Sequence, residues 1–351
     1  MAKIIIVGAG LAGSLCAKFL QEEHEVTILT KKTKDNSNSI LAQGGIATSL
    51  FESDIESHVQ DTLTAGRFIN DEKIVRKTIQ KGNAILKKFI QEGLSFDSND
   101  AGLIRSMEGA HSLERILHIN GDQTGRGMVE FVHSKLVKTE MIENAEVVDL
   151  SIQENRLNGV HYLDHDNTLQ FLQADIVILA TGGIGQLFTN TTNDETVSGD
   201  GLALCIEKEI EVQNLHFIQY HPTFFKSSCG NGFLISEAVR GEGARLVNQL
   251  GHYFMETLHP MKDLAPRDIV ARSILQEESF GNQVYLDITG VKHFSKRFPF
   301  IAEQLSSLGN FIQEGRIPVT PAQHFHMGGV KVNEVGQTSV PNLYAIGEVA
   351  S

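Results

Sequence analysis

Six residues near the start of the chain, Gly8-Ala9-Gly10-Leu11-Ala12-Gly13, have the spacing that receives a pyrophosphate. In such a turn the first glycine makes the tight bend and the second lets backbone approach the phosphates. The third lets the following helix pack close to its strand. The helix start then offers unpaired N–H groups and a partial positive charge to the anion. Set directly after the β-branched run Lys3 to Val7, the motif points to a dinucleotide. An NAD-type site usually has an acid at the end of the second strand to hold the ribose. Here Thr30 and Lys31 stand at that point, and a lysine suits a phosphate or a nucleotide edge. Two later segments favour FAD. Ala180-Thr181-Gly182-Gly183 closes a strand, and Asn342 to Ile346 forms another, closed by Gly347 and Glu348. Glu348 is placed to bond a polyol hydroxyl between adenosine and the ring system. Asp200, between two glycines, reads both as a flavin contact and as the N-cap of a helix from Leu202. His324 and His326 would share one face of a strand. No third ligand accompanies them, so no metal is expected.

These residues need an α/β frame. Lys3 to Val7 reads as a buried strand, Ser14 to Glu22 as a helix and Glu25 to Leu29 as a second strand, a βαβ start. Residues 31–39 read as loop. Asp54 to Ala65 and Asp71 to Glu92 read as amphipathic helices, and Gly127 to Val137 as another. Residues 145–172 alternate as strands with a turn at Asn158-Gly159, and Ala174 to Ala180 is again a buried strand. From about Leu215 the texture changes to paired aromatics, single prolines and short helices. Strand character returns at Gly328 to Asn333 and Asn342 to Ile346. The expected architecture is a Rossmann-type FAD-binding domain over 1–214 and 326–351, with an inserted α+β domain over 215–325.

Composition narrows the partners. The 351 residues carry a net charge of −13, a poor match for nucleic acid, where affinity comes largely from neutralising phosphates. There is no apolar stretch of about 20 residues and no cleavage-site pattern, so no membrane is expected and the reading is cytoplasmic. Cys16, Cys205 and Cys229 lack metal-ligand spacing and read as free thiols of a reducing compartment.

Several motifs together resemble the succinate dehydrogenase/fumarate reductase flavoprotein family. Besides Gly8–Gly13 they are Ala42-Gln43-Gly44-Gly45, Ser198-Gly199-Asp200-Gly201, Gln219-Tyr220-His221-Pro222-Thr223, Glu237-Ala238-Val239-Arg240-Gly241-Glu242-Gly243, Pro266-Arg267-Asp268, and His324 with Met327-Gly328-Gly329. They run in the family's order over the whole chain. The inserted domain then corresponds to the family's capping, substrate-holding domain. Family members that attach FAD covalently carry a histidine just before the A-x-G-G motif. Here that stretch reads Asn38-Ser39-Ile40-Leu41, which implies non-covalent FAD. Glu108-Gly109-Ala110-His111-Ser112 resembles the loop by which the family's L-aspartate oxidase branch supplies a carboxylate to its active site.

That branch implies oxidation of L-aspartate to iminoaspartate by hydride transfer from Cα to the flavin, with oxygen or fumarate as acceptor. It also implies quinolinate synthase as the next enzyme, in NAD biosynthesis. The dicarboxylate needs a partner at each end, because burying an unmatched carboxylate costs several kcal/mol. The resemblance assigns His221, Ser236, Arg267 and His324 to that task. Glu108 is the partner for the α-ammonium, through a charge-assisted bond of about 1.5–3 kcal/mol. In the fumarate direction Arg267 is the family's proton donor. Arginine hardly deprotonates in proteins, so a carboxylate, Glu237, would relay the proton. The family continues past Gly347-Glu348-Val349-Ala350-Ser351, so the expectation is a C-terminally truncated member with a sheet face left for a partner. Two other readings stay open: a succinate dehydrogenase or fumarate reductase flavoprotein, and a non-catalytic FAD-binding remnant.

Overall fold

The computed structural model describes residues 1–226 and 232–351. They form two compact units, one of residues 1–41, 126–219 and 323–351, the other of residues 42–125 and 220–322. The strands Ile218–Lys226 and Thr320–His326 carry the chain across the boundaries.

The first unit includes the strands β1 (Lys3–Val7), β2 (Glu25–Thr30), β3 (Glu140–Glu143), β4 (Glu146–Gln153), β5 (Arg156–Leu163), β6 (Leu169–Gln173), β7 (Ile176–Leu179) and β8 (Leu343–Ala345). Five of them make a parallel sheet in the order β8-β7-β1-β2-β3. At its centre Ile5 of β1 lies opposite Val177 on one side and Thr27 on the other. Ile4 and Ile6 pack with Val26, Ile28 and Ile178, and with Ala17 of the helix α1 (Leu11–Leu20). Ile5 and Val7 pack on the other face with Leu29, Val177, Leu179 and Leu343. A run apolar on both faces is what a central parallel strand requires, and each such side chain contributes about 1.5–3 kcal/mol on burial.

Two local expectations are corrected here. Helix α1 starts at Leu11, directly after the glycine turn, rather than at Ser14. Gly13 therefore lies inside the helix, where a Cβ would come within 2.1 Å of the Gly8 carbonyl oxygen. Asn158-Gly159 is not a turn. It lies within β5, where the register with β4 shifts between Leu157 and Gly159, a bulge. The hairpin turns instead at Glu154 and Asn155, both at positive φ (49° and 58°), the backbone a two-residue turn demands. A Cβ at Gly159 would meet the Leu172 carbonyl oxygen at 2.4 Å, so the glycine serves close packing against β6.

The second unit holds the helices Ile55–Ala65, Glu72–Gln91 and Arg267–Ser279 and an antiparallel sheet of Arg245–Asn248, Val284–Asp287 and Arg316–Pro318. Asp71 caps Glu72–Gln91 by accepting from Ile74 N at 3.1 Å. Its core gathers Leu246, Phe254, Val270, Ile274, Leu286, Phe298 and Leu305. The unit changes at 219/220 and 322/323, close to the expected 214/215 and 325/326. Residues 42–125, expected in the nucleotide-binding part, are grouped with the second unit. Their strands are two-residue pieces that pair antiparallel among themselves, Ile46 with Leu117 and Ala47 with Ile116, so none joins the parallel sheet. Burial pushes the Cys16 and Cys205 thiols up to about 11 and about 12; Cys229 lies outside the described residues. Among the described residues no helix is long and apolar enough to cross a membrane.

Candidate functional site

The first unit contains a cleft of about 930 Å³, its open mouth included. Its floor is the turn Gly8–Ala12, and Lys31, Asn38, Ser39, Thr181, Asp200 and Glu348 stand around it. Gly8 and Gly13 are sterically required. A Cβ at Gly8, whose φ is 115°, would fall 2.3 Å from the Ala180 carbonyl oxygen. Helix α1 begins on Gly10 without a side-chain cap and without an acid in its first turn, the arrangement that suits an incoming anion. Ser39 Oγ accepts from Leu11 N at 3.0 Å, which leaves its hydroxyl hydrogen to donate outward. Lys31 Nζ donates to Ser198 Oγ at 2.6 Å and pairs with Asp200, which is the first residue of the helix Asp200–Glu207 and not, as expected, the N-cap of one from Leu202; Gly199 holds the cap position. Asn38 is fixed from both ends, donating to Asn193 Oδ1 at 2.8 Å and accepting from Asp194 N at 2.7 Å. Ile40 is buried and Leu41 is exposed. Thr181 Oγ1 is buried with no partner among the described residues, a polar atom available to a ligand of the cleft. The residues present therefore fit a dinucleotide.

Glu348 lines the same cleft and accepts from His326 N at 2.8 Å; burial raises its carboxyl above the usual range. A Cβ at Gly183 would lie 2.3 Å from its Oε1, so the second glycine of Thr181-Gly182-Gly183 makes room for this acid. His324 Nδ1 shares a hydrogen bond with Thr192 Oγ1 at 2.7 Å, and Asn193 Nδ2 donates to the His324 carbonyl at 2.9 Å. His326 is buried and its Nε2 sits 3.2 Å from the Leu215 carbonyl oxygen. Among the described residues no cluster of three potential ligands has metal-holding geometry.

The second unit brings the charged residues together. Glu237, 5% exposed, lies between two guanidiniums. Its Oε2 accepts from Arg267 Nε at 2.7 Å and its Oε1 from Arg240 Nη2 at 3.1 Å. Burial pushes its carboxyl up, but Arg267 and Arg240 outweigh that and hold it down at about 2. Arg240 also donates to the Asp263 carbonyl and is itself fully buried. Ser236 caps the helical turn Glu237–Gly241, its Oγ accepting from Ala238 N at 3.2 Å. His221 is buried, with Nδ1 accepting from Thr223 N at 3.2 Å.

Glu108 belongs to the same charged group. Burial and the neighbouring Glu237 raise its carboxyl, against the pull of Arg267 and Arg240. Its Oε1 is buried without a hydrogen-bond partner among the described residues. Gly44 leaves space beside it, an added Cβ falling 3.7 Å from that oxygen. Gly45 is closed in from the other side, where a Cβ would stand 2.3 Å from Ile116 Cγ2. The Gly109 position is equally tight, 2.3 Å from Glu237 Oε1. Ala42 accepts from Gly125 N at 3.0 Å, and Gln43 is buried with Oε1 unpartnered.

Of the residues expected to serve the substrate, Glu108, His221, Ser236, Glu237 and Arg267 belong to the second unit and His324 to the first. Asn38–Leu41 and Ala42–Gly45, adjacent in sequence, divide between the units. The reading missed Arg240, although three residues from Glu237 is one helical turn and would have paired them. It also missed Thr192 and Asn193, whose bonds to His324 span 132 and 131 residues and leave no local signal.

Residues 3–351 match the FAD binding domain family. The chain is 44% identical over 350 residues to the L-aspartate oxidase of Bacillus subtilis (strain 168), covering 99% of this chain and 66% of that protein. It is 40% identical over 358 residues to the L-aspartate oxidase of Clostridium acetobutylicum, covering 99% of this chain and 81% of that one. The chain thus spans about two thirds of the length of the first relative and four fifths of the second. Among solved structures it superimposes on a chain of Escherichia coli quinol fumarate reductase with a TM-score of 0.91 at 25% identity, covering 100% of this chain and 65% of that one. Glycine turn, parallel sheet and kinship agree: this chain belongs to the FAD-binding flavoprotein family that includes the L-aspartate oxidases and the flavoprotein of fumarate reductase.

Proposed function

We propose that the chain binds FAD without a covalent link and serves the oxidation of L-aspartate to iminoaspartate, with oxygen or fumarate as the final acceptor. FAD, when bound, supplies the two-electron acceptor. The observation that carries the reading is Glu108 Oε1, a buried acceptor with no partner among the described residues, beside the line Arg240–Glu237–Arg267. A buried carboxylate oxygen left unpaired is costly, and an α-ammonium is the donor that answers it. Arg267, with Ser236 and His221, supplies positive charge and donors for the substrate carboxylates, and by the family pattern His324 does so too. A guanidinium hardly deprotonates, so Arg267 is no proton source on its own; its bond to Glu237 provides a route by which a proton reaches or leaves its Nε. In this reading Gly8–Gly13, Lys31, Asn38–Gly45, Asp200 and Glu348 hold the cofactor. The product imine is handed to quinolinate synthase, and the setting is the cytoplasm.

The test is direct. After acid precipitation the flavin is expected in the supernatant; flavin in the pellet refutes the non-covalent link. L-aspartate is expected to reduce the bound flavin and succinate is not. Glu108→Gln is expected to weaken L-aspartate use about 10–100-fold and fumarate use far less, the worth of one charge-assisted bond. Equal losses refute the assignment of Glu108. Succinate oxidation without aspartate oxidation favours the succinate dehydrogenase reading, and bound flavin with neither activity a non-catalytic one.

A further inference from the structure

Glu108 sits on a loop without regular secondary structure, and what fixes that loop is a partly buried ionic cluster around Arg115, reached four to seven residues further on. Asp61, on the helix Ile55–Ala65, accepts from Ser112 N and from Ser112 Oγ, both at 2.8 Å. The same Oδ2 accepts from Arg115 Nη1 at 2.5 Å. Arg115 is 1% exposed, and Nη1 also donates to His111 Nδ1 at 3.0 Å. Its other nitrogens are taken by Asp54, at 2.9 and 3.2 Å, and by Ser57 Oγ at 2.9 Å. Between this anchor and Glu108 the backbone closes on itself, His111 N donating to the Glu108 carbonyl at 3.3 Å. Ala110 is held at φ 66°, a conformation an alanine adopts only when its surroundings impose it.

We infer that Asp61 and Arg115 are positioning residues: they hang the loop from its helix so that the Glu108 carboxylate is aimed where the amino group of the substrate arrives. They touch no substrate. They confer the preference for an amino dicarboxylate over the same dicarboxylate without an amine. The inference rests on the assignment of Glu108 proposed above. Its physical content is that a carboxylate on an unanchored loop would swing to water, because solvation of the charge is always available. The anchor removes that option without adding a contact to the substrate.

The experiment measures the affinity of the FAD-loaded chain for L-aspartate and for succinate by calorimetry, with thermal unfolding recorded alongside. Asp61→Asn retains the side-chain size and loses the charge that holds both Ser112 and Arg115. Ser112→Ala removes the two ties of its hydroxyl, to Asp61 and to Ser57 Oγ at 2.9 Å, and leaves the Ser112 N–Asp61 bond and the Asp61–Arg115 pair intact, so it serves if Asp61→Asn does not fold. Asp61→Asn is expected to lower the preference for aspartate about tenfold and Ser112→Ala about threefold, with succinate affinity unchanged. In a Glu108→Gln background both are expected to add nothing, because the coupled residues act through one group. Equal weakening of both ligands, an unchanged preference in the foldable variants, or a full effect persisting in the Glu108→Gln background overturns the inference. If instead the parent chain shows no preference, or Glu108→Gln leaves the preference intact, the assignment of Glu108 itself fails and the inference with it.

Discussion

Replacing Glu237 by glutamine removes a charge that two guanidiniums share. The carboxylate receives Arg267 at 2.7 Å through one oxygen and Arg240 at 3.1 Å through the other. Glutamine can answer only one of them and turns an N–H group toward the other. Breaking a buried pair in this way costs about 3–5 kcal/mol. The titration gives a second route to the magnitude. The native carboxyl lies at about 2 against an ordinary 4.5. Its folded value is depressed, so its contribution is fully present above the unfolded value and is lost as pH falls through the folded one. Linkage puts it at roughly 3 kcal/mol at neutral pH and roughly 1 kcal/mol near pH 3. Glu108 is shifted upward and acts with the opposite sign; part of that shift comes from Glu237 itself, so the substitution also relieves it and trims the loss at neutral pH.

Hydrogen exchange of the Val270 and Ile274 amides, on the helix that starts at Arg267, reads the second unit by itself, which a global melt of two units does not. After correction for intrinsic exchange, Glu237→Gln is expected to reduce their protection about 100-fold at pH 7 and about tenfold or less at pH 3. A loss of the same size at both values, or less than about tenfold at pH 7, would refute the claim that ionised Glu237 ties the two arginines together.

Two further outcomes follow from backbone geometry. Gly13→Ala places a Cβ 2.1 Å from the Gly8 carbonyl oxygen and is expected to yield protein purified without flavin absorbance; a variant that retains a full complement of FAD would show that the turn tolerates widening. Glu154→Gly relieves a non-glycine residue at φ 49° in the hairpin turn and is expected to stabilise the first unit by about 0.5–1 kcal/mol. An unchanged or lowered urea midpoint counts against that turn.

What the sequence disclosed depended on how far apart the interacting residues lie. The glycine turn and β1 are local: Gly8 and Gly13 fall within six residues, and the two-faced burial of Ile4 to Val7 is written in one apolar run. The Glu237–Arg267 bond crosses 30 residues and was reached through a family pattern rather than through any spacing rule. The anchor Asp61–Ser112 crosses 51 and left no trace in the pattern. The hairpin misled for a different reason. Asn-Gly suits both a turn and a bulge, since both need a permissive backbone, and the bulge won at Asn158 because Phe171 and Leu172 of the neighbouring strand crowd Gly159. The placement of residues 42–125 was missed because amphipathic helices state that they pack, not against what.

Neither unit is a continuous stretch of chain, and this sets the order in which the protein can assemble. The central sheet sets β7 beside β8, with Val177 opposite Leu343, so more than 160 intervening residues must be made before that edge can form. Residues 42–125 likewise wait for 220–322 before their unit is whole. Such distant pairings are paid for in chain entropy before any contact rewards them. On the ribosome the N-terminal βαβ start is therefore finished early yet stays open at one edge, with the apolar strand β1 awaiting β7 until Leu179 is made and β7 then awaiting β8. Slow, concentration-sensitive refolding is the natural consequence of placing a sheet's last strand so far from its first.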